Sequence, residues 1–189
     1  MKYTFFIFLF SSTLIFAQNE KIEAEQRIKS TEVPTKSIEW LRQSFPNTRK
    51  VKWYQETTSG IKSFEAKFKL NGKKYSVEFS ENGLIEDVEI LREIDNIEEP
   101  YQSNLKDAFS TIEKFKLSKI QEQWTSDFSE KLSLAIRENN SALITIRFEV
   151  EFTAIIDGSF SLWEGLFDQD GNLLYKRKVK LRATDNLDY

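Results

Sequence analysis

The chain of 189 residues contains no cysteine and no histidine. Without cysteine it forms no disulfide bond and offers no thiolate nucleophile. Without histidine it has no Ser-His-Asp triad and no ordinary zinc site. The formal net charge is only −3, which gives no bias toward nucleic acid or a membrane surface. We therefore expect no cofactor and no nucleic-acid partner.

Aromatic residues are abundant by comparison. They make up 14% of the chain, with 16 phenylalanines, and a disordered chain would not carry so many. A packed core is expected, and the length fits one large domain or two small ones.

The first 17 residues are typical of a signal peptide. Lys2 gives a charged start, an apolar run extends from Phe5 to Phe16, and Ala17 supplies a small residue for cleavage before Gln18. The run is shorter than the roughly 20 apolar residues needed to span a bilayer. After cleavage, 26 basic and 30 acidic residues remain, a net charge of −4. We expect an exported, periplasmic or secreted protein that no longer contacts the membrane.

Residues 61–91 carry the clearest structural pattern. Phe64, Ala66, Phe68 and Leu70 alternate with polar residues, a period of two that predicts a strand with one apolar and one charged face. Asn71-Gly72 suits a type I′ hairpin turn because both positions then have positive φ. A second turn at Asn82-Gly83 predicts a three-stranded antiparallel meander.

The second half of the chain repeats this order. Each half begins with a proline and an amphipathic helix, predicted at 36–45 and 103–115, and the turns at 71–72 and 82–83 match those at 157–158 and 170–171. We predict an α+β fold of two tandem units, each one helix packed on a four-stranded antiparallel meander. The two sheets could lie side by side or continue into each other.

The predicted boundaries follow from these patterns. They are a signal peptide at 1–17, a lead-in segment at 18–35, unit 1 at 36–92, an acidic linker at 93–100, unit 2 at 101–183 and a tail at 184–189. The lead-in could be extended or a short helix. Unit 2 carries an insertion at about 126–140, where apolar spacing fits a helix or a strand, and Asn139-Asn140 favours a strand hairpin.

The first half carries a series of motifs at Val33-Pro34, Trp40-Leu41, Phe45-Pro46, Lys52-Trp53-Tyr54, residues 64–68, Asn71-Gly72, residues 76–79 and Asn82-Gly83. With these motifs it resembles a PepSY-like domain, a family of exported bacterial proteins that shares the fold of β-lactamase inhibitor protein. The resemblance covers residues 33–92 well and 100–183 more weakly, which implies two tandem copies. It implies a periplasmic, non-enzymatic role in inhibition or protein binding and names no catalytic residue. This chain lacks the cysteines of the inhibitor, so no inhibitory residues are carried over.

A basic row on the last strand is the candidate binding site. Lys176, Lys178, Lys180 and Arg182 share one face there, with Arg177 opposite. The row could steer an acidic partner, or it could protect an edge strand against aggregation.

Three other patterns carry weaker hypotheses. Asp168-Gln-Asp170-Gly171-Asn172 resembles a calcium loop but lacks the EF-hand spacing, which favours a plain hairpin turn. The four tryptophans could line a groove, although Trp53 and Trp124 are in phase with core residues. Glu86, Asp87 and Glu89 could pair for hydrolysis, but they lie on a strand expected to be half exposed.

The sequence therefore favours an exported, non-enzymatic binding module that acts on an unknown periplasmic protein, as an inhibitor or regulator. Polar residues at the outward strand positions indicate a sheet face or edge as the binding surface. The alternative is a periplasmic module that binds a small ligand or a cation.

Overall fold

Nine strands form one continuous antiparallel sheet in the part of the chain that the computed structural model describes, residues 23–58 and 60–179. Each strand pairs with the next in sequence, so the order is β1 to β9 without a crossover. The strands are β1 Glu23–Ile28, β2 Lys52–Thr58, β3 Ile61–Leu70, β4 Lys73–Ser80, β5 Ile85–Arg92, β6 Lys116–Thr125, β7 Thr145–Ile156, β8 Ser159–Phe167 and β9 Leu173–Lys178. Three helices occur in the same ranges, α1 Thr35–Ser44, α2 Tyr101–Ser110 and α3 Ser129–Glu138.

The hairpin turns are made by the residues that the sequence indicated. Asn71 and Gly72 have φ values of 50° and 79°, and Asp157 and Gly158 have 52° and 73°. Positive φ at both central positions is the type I′ geometry, whose twist matches that of the flanking strands. The turns therefore fix the register of β3 with β4 and of β7 with β8.

The prediction of two tandem units was wrong, because β5 pairs directly with β6. Val88 lies opposite Trp124, and the pairing continues to Arg92 opposite Ile120. On the helix side of this junction, Arg92 and Glu122 form an ion pair of 2.7 Å with both side chains largely buried. Two separate sheets would each have an edge strand here with unpaired backbone N–H and C=O groups. In the continuous sheet these groups of β5 and β6 form hydrogen bonds with each other.

All three helices pack on one face of the sheet, where the apolar side chains of the strands point. Leu41 and Phe45 at the end of α1 are buried with Trp53, Phe64 and Phe79 of the first half. Leu105 and Phe109 of α2 are buried with the second half, which contributes Ile120, Phe148, Val150, Phe152 and Trp163. The half-buried Trp124 packs against both clusters and joins them.

The region 126–140 contains the helix α3 and no strand, so the preferred strand hairpin was also wrong. Leu132 and Ala135 of α3 are buried, three residues apart, and Leu132 belongs to the core of the first half. Ser44 and Ser133 are joined by a buried hydrogen bond of 2.9 Å between α1 and α3. Contact with another helix thus decided a pattern that was ambiguous locally.

The segments at the predicted boundaries are also structured. The lead-in contains β1, which pairs with β2 from Glu23 opposite Thr58 to Ile28 opposite Trp53. Within the acidic linker Ile97 is buried in the core below α2. The predicted signal peptide at 1–17 and the tail at 184–189 lie outside the described residues.

Candidate binding site on the polar face of the sheet

The face opposite the helices is polar, and its centre is buried. Alternation puts Glu65, Ser76, Asp87, Glu89 and Gln121 on this face, each at most 8% exposed. Burial of so many polar groups costs free energy unless each finds a partner. We call this surface the polar face.

The strand register places three carboxylates in a row across the polar face. Glu65 lies directly opposite Glu78, and Glu78 lies directly opposite Asp87. Directly opposed like charges destabilise a sheet by a few tenths to about 1 kcal/mol per pair. Three neighbouring strands thus carry an arrangement that does not serve stability, which marks the row as a functional candidate.

Glutamine amides from β6 hold two of the buried carboxylates. Gln123 Nε2 donates to Asp87 Oδ2 over 2.9 Å, and Gln121 Nε2 donates to Glu89 Oε2. The second oxygen of Asp87, Oδ1, is buried and accepts no hydrogen bond from the described residues. A hydrogen bond from a neutral amide group to one oxygen fixes the orientation of a carboxylate without supplying a compensating charge.

Burial raises the pKa of Asp87 well above its usual value. The negative charges of Glu149 and Glu86 raise it further, and the hydrogen bond from Gln123 lowers it. Burial likewise raises the pKa of Glu89, with further increases from Glu149, Glu78 and Asp87 and an opposing effect of Lys119. The centre of the polar face therefore resists carrying its full negative charge.

A neighbouring acidic group is compensated by a lysine. Lys67 Nζ lies 2.7 Å from Glu65 Oε2 and 3.0 Å from Glu25 Oε1. Ser76 also donates a hydrogen bond to Glu65. Burial alone would lower the pKa of Lys67, but the charge of Glu65, with that of Glu25, outweighs burial and raises it. In this part of the polar face a lysine compensates the charge of the carboxylates.

A cleft of about 800 Å³ opens on the polar face. Side chains from strands β1 to β8 contribute to its lining. Carboxylates line its middle, namely Glu65, Glu78, Glu89, Glu149 and Glu164. Exposed lysines lie near the β3–β4 turn, where Lys69 is directly opposite Lys74. The cleft thus presents both signs of charge, and Lys67 and Lys119 lie among its carboxylates.

The structure places half of the predicted basic row on the other side of the sheet. Lys176 lies opposite Gly165 and Lys178 opposite Trp163, in phase with the face that the helices cover. Lys176 Nζ lies 5.8 Å from the centre of the Trp163 ring, and Lys178 Nζ is 3.3 Å from Ser159 Oγ. Lys180 and Arg182 lie outside the described residues. Partner binding by this row stays a prediction.

Arg177 lies on the polar face, opposite to Lys176 and Lys178, and contacts residues of β8 and β9 there. It forms an ion pair with the buried Glu164, which also accepts a hydrogen bond from the hydroxyl group of Tyr175 over 3.1 Å. Burial alone would lower the pKa of Arg177, and the charge of Glu164 outweighs it. Arg177 is thus a structural partner of β8.

The Asp168 loop is a hairpin turn in the structure. Asp168 accepts hydrogen bonds from the backbone N–H groups of Asp170 and Asn172 and from the side chain of Asn172, at 2.8 to 3.0 Å. These bonds, led by the one from the Asn172 side chain, hold the pKa of Asp168 below its usual value. Its carboxylate stabilises the turn.

The tryptophans do not form a groove together. Trp53 and Trp163 are buried in the two core clusters. Trp40 is half-buried on α1, where its Nε1–H donates to the carbonyl oxygen of Ser129 over 3.3 Å. Trp124 lies at the junction of the halves and donates to Glu122.

The expectation of a half-exposed β5 was wrong for the acidic residues. Asp87 and Glu89 are 8% and 4% exposed, whereas Glu86 is exposed at the register shift between β4 and β5. Sequence reasoning also missed Glu65, Glu78 and Glu149 as neighbours of this pair. Acidic residues at outward positions of consecutive strands, combined with the hairpin registers, were the signal that could have found Glu65, Glu78 and Asp87 together.

Among the described residues, no helix has the length and apolar character required to cross a bilayer.

Comparison with solved structures identifies the fold. Neither a family model nor a curated protein matches the chain. A DUF2874 family protein from Bacteroides ovatus is similar over 77% of this chain and 87% of its own, with a TM-score of 0.54 and 12% identity. A protein from Bacteroides eggerthii, provisionally named as periplasmic, is similar over 77% and 88%, with a TM-score of 0.53 and 12% identity.

A BLIP-like protein from Bacteroides fragilis is similar over 82% of this chain and 92% of its own, with a TM-score of 0.52 and 14% identity. At such identities the similarity concerns the fold alone. The further resemblance to PepSY-like domains stays a prediction. The chain therefore has the same fold as these Bacteroides proteins, a helix-covered antiparallel sheet of BLIP-like type.

Proposed function

We propose that this protein is an exported, non-enzymatic module that binds another periplasmic protein through the polar face of its sheet. The observation that carries the proposal is the asymmetry of the sheet. Within the described ranges, α1, α2 and α3 all cover one face, and the other bears a charged cleft of about 800 Å³. A sheet face that is left open in this way is available to a partner.

Charge indicates what kind of partner fits. Carboxylates occupy the middle of the cleft, and lysines such as Lys69 and Lys74 lie near the β3–β4 turn. A protein segment with basic residues flanked by acidic ones matches this pattern. Complementary charges of this type raise association rates and select partners more than they add affinity.

Export and the absence of catalysis are supported by separate observations. The charged start, apolar run and Ala17 fit a cleaved leader, and a solved structure of the same fold bears a periplasmic name. The whole chain has neither histidine nor cysteine, which removes the commonest general base and the commonest sulfur nucleophile. More specifically, we propose that binding inhibits or regulates the partner.

The test compares charge reversals on the two faces. In the polar-face variant, Lys69 and Lys74 are both changed to Glu. In the matched control, Lys36 and Arg42, exposed on α1, are both changed to Glu, so the net charge changes equally. Each protein is immobilised and incubated with the periplasmic fraction of its native organism, and captured proteins are identified by mass spectrometry.

We expect wild-type protein and the control to capture the same partner and the polar-face variant to lose it. Loss from the control with retention by the polar-face variant would place the binding surface on the helix side. The same variants, titrated with the purified partner, then give the change in dissociation constant.

A further inference from the structure

Three carboxylates on the polar face converge at one point. Glu78, Asp87 and Glu89 each offer a carboxylate oxygen that lies within 4.8 Å of an oxygen from both of the others. Asp87 and Glu89 are buried, and Glu78 is half-buried. Glu78 and Glu89 line the cleft, which gives a small ion a path from solvent.

An independent observation points to a missing partner at this point. Asp87 is 8% exposed, and its Oδ2 atom accepts a hydrogen bond from Gln123, but its buried Oδ1 atom accepts none from the described residues. A buried acceptor without a partner costs about 1–3 kcal/mol, and more when it is charged. A polar atom placed in this way needs either a proton or a cation.

We propose that Glu78, Asp87 and Glu89 bind one calcium ion in the cleft of the polar face. All three donors are oxygens, and the chain has no histidine or cysteine to add nitrogen or sulfur. Such a donor set selects hard cations over zinc or copper.

The ligand set favours calcium over magnesium. Calcium binds oxygen ligands at about 2.3–2.6 Å in a flexible geometry that accepts several carboxylates. Magnesium needs about 2.0–2.1 Å and a near-ideal octahedral set, and it is usually held by one or two carboxylates together with several waters. Three protein carboxylates whose oxygens lie within 4.8 Å of one another therefore fit calcium better.

Two glutamines of β6 are positioned to orient the carboxylates. Gln123 holds Asp87 by one oxygen, and Gln121 holds Glu89 by one oxygen. Hydrogen bonds of this kind fix the geometry of metal ligands in proteins. Because the glutamines are on β6 and the ligands on β4 and β5, the site depends on the β5–β6 pairing.

The polar face contains a second group of three carboxylates, which differs from the proposed calcium site. Glu25, Glu56 and Glu65 also bring carboxylate oxygens within 4.8 Å of one another. There Lys67 reaches both Glu65 and Glu25, so the group already contains a cation. Near the proposed site Lys119 forms an ion pair with Glu151 over 3.1 Å, and its charge lowers the pKa of Glu89.

This inference goes beyond the proposed protein-binding function and is tested without a partner. Protein expressed with its own N-terminal segment is purified, treated with EDTA and exchanged into metal-free buffer at pH 7.5. Calcium chloride and magnesium chloride are titrated separately by isothermal calorimetry at matched ionic strength. Thermal melts are recorded in parallel. The variants are Asp87→Asn, Glu89→Gln and, as a control with the same change in charge, Glu25→Gln.

We expect one calcium ion per chain and a melting temperature about 3–6 °C higher at a calcium concentration tenfold above the dissociation constant. Asp87→Asn and Glu89→Gln should each weaken calcium at least tenfold, and Glu25→Gln should leave it within about twofold. Asp87→Asn keeps the shape of the side chain, and its fold is checked by circular dichroism. If either variant fails to fold, the calcium affinity of the other variant tests the proposal.

Three outcomes would overturn the proposal. One is the absence of both heat and stabilisation at 10 mM calcium, which would mean that protons neutralise the cluster. Another is equal affinity for magnesium and calcium, which contradicts the argument from the three carboxylate ligands. The third is full retention of calcium by Asp87→Asn and Glu89→Gln, which would place the ion elsewhere.

Discussion

Gln123 donates a hydrogen bond of 2.9 Å to Asp87 across the junction between β5 and β6. The two residues come from halves of the chain whose cores are covered by different helices. Their contact therefore exists only because the two halves share one sheet. It also fixes a carboxylate whose second oxygen is buried without a hydrogen-bond partner among the described residues.

The raised pKa of Asp87 predicts an unusual pH dependence of stability. Burial, with the charges of Glu149 and Glu86, raises this pKa to about 8 in the folded protein, against about 3.9 in an unfolded chain. Between these values the folded state holds a proton that the unfolded state has lost, so the free energy of unfolding falls as pH rises from about 4 to 8. Below pH 4 both states are protonated, and above 8 both are ionised.

We expect Asp87→Asn to flatten this dependence and to be more stable than the wild type at pH 8, by about 1–3 kcal/mol. Urea unfolding at pH 5, 6, 7 and 8 in EDTA measures the free energy of unfolding of both proteins, with Glu25→Gln as the control. Burial also raises the pKa of Glu89, so a residual slope remains in the variant. Wild-type stability that increases steadily from pH 5 to pH 8 would contradict the prediction.

Phe109 tests whether the α2 stripe forms the core of the second half. It is 8% exposed and stacks on Phe115 with ring centres 4.4 Å apart. Phe109→Ala should lower the free energy of unfolding by about 3–5 kcal/mol, the usual range for a buried phenylalanine. Phe160→Ala, at a side chain that is 63% exposed, should cost about 0.5 kcal/mol or less in the same denaturation assay. Equal costs would show that α2 is not packed as described.

Gly171 tests how tightly the β8–β9 turn packs on α2. Its φ is +81°, and a Cβ atom there would lie 2.5 Å from the carbonyl oxygen of Asn104. Gly158 has a similar φ of +73° with nothing within 4 Å of its Cβ position. Gly158→Ala should therefore cost about 1–2 kcal/mol for the backbone conformation alone.

Gly171→Ala should cost about 1–3 kcal/mol more than that, because backbone atoms of α2 must move. Chemical denaturation of both variants measures the difference. If the two substitutions cost the same, the turn is not held against α2 in solution.

A separate prediction concerns the basic row of Lys176, Lys178, Lys180 and Arg182. Reversal of Lys178 and Lys180 to Glu should slow association with an acidic partner at low salt, since exposed charges mainly steer the encounter. The melting temperature should change little, because Lys178 contacts only Ser159 Oγ among the hydrogen bonds and ion pairs described for it. Stopped-flow or surface-binding rates at two salt concentrations measure the effect, with the α1 double reversal as the control. Unchanged association at low salt would leave the row as protection for an edge strand.

The sequence by itself determined the local structure of this protein. The alternation in β3 and β7, the paired positive φ values at Asn71-Gly72 and Asp157-Gly158 and the apolar stripe of α1 all follow from neighbouring residues. Turn conformations and side-chain periodicity depend on a few consecutive residues, so they can be read without knowing the rest of the chain.

Only the tertiary structure decided how these parts combine. The pairing of Val88 with Trp124 joined two predicted sheets into one, and packing against α1 made residues 129–138 a helix. The same pairing placed the β6 glutamines beside Asp87 and Glu89 and buried the two carboxylates. Burial and strand pairing between distant segments depend on the free energy of the whole core, which no local pattern encodes.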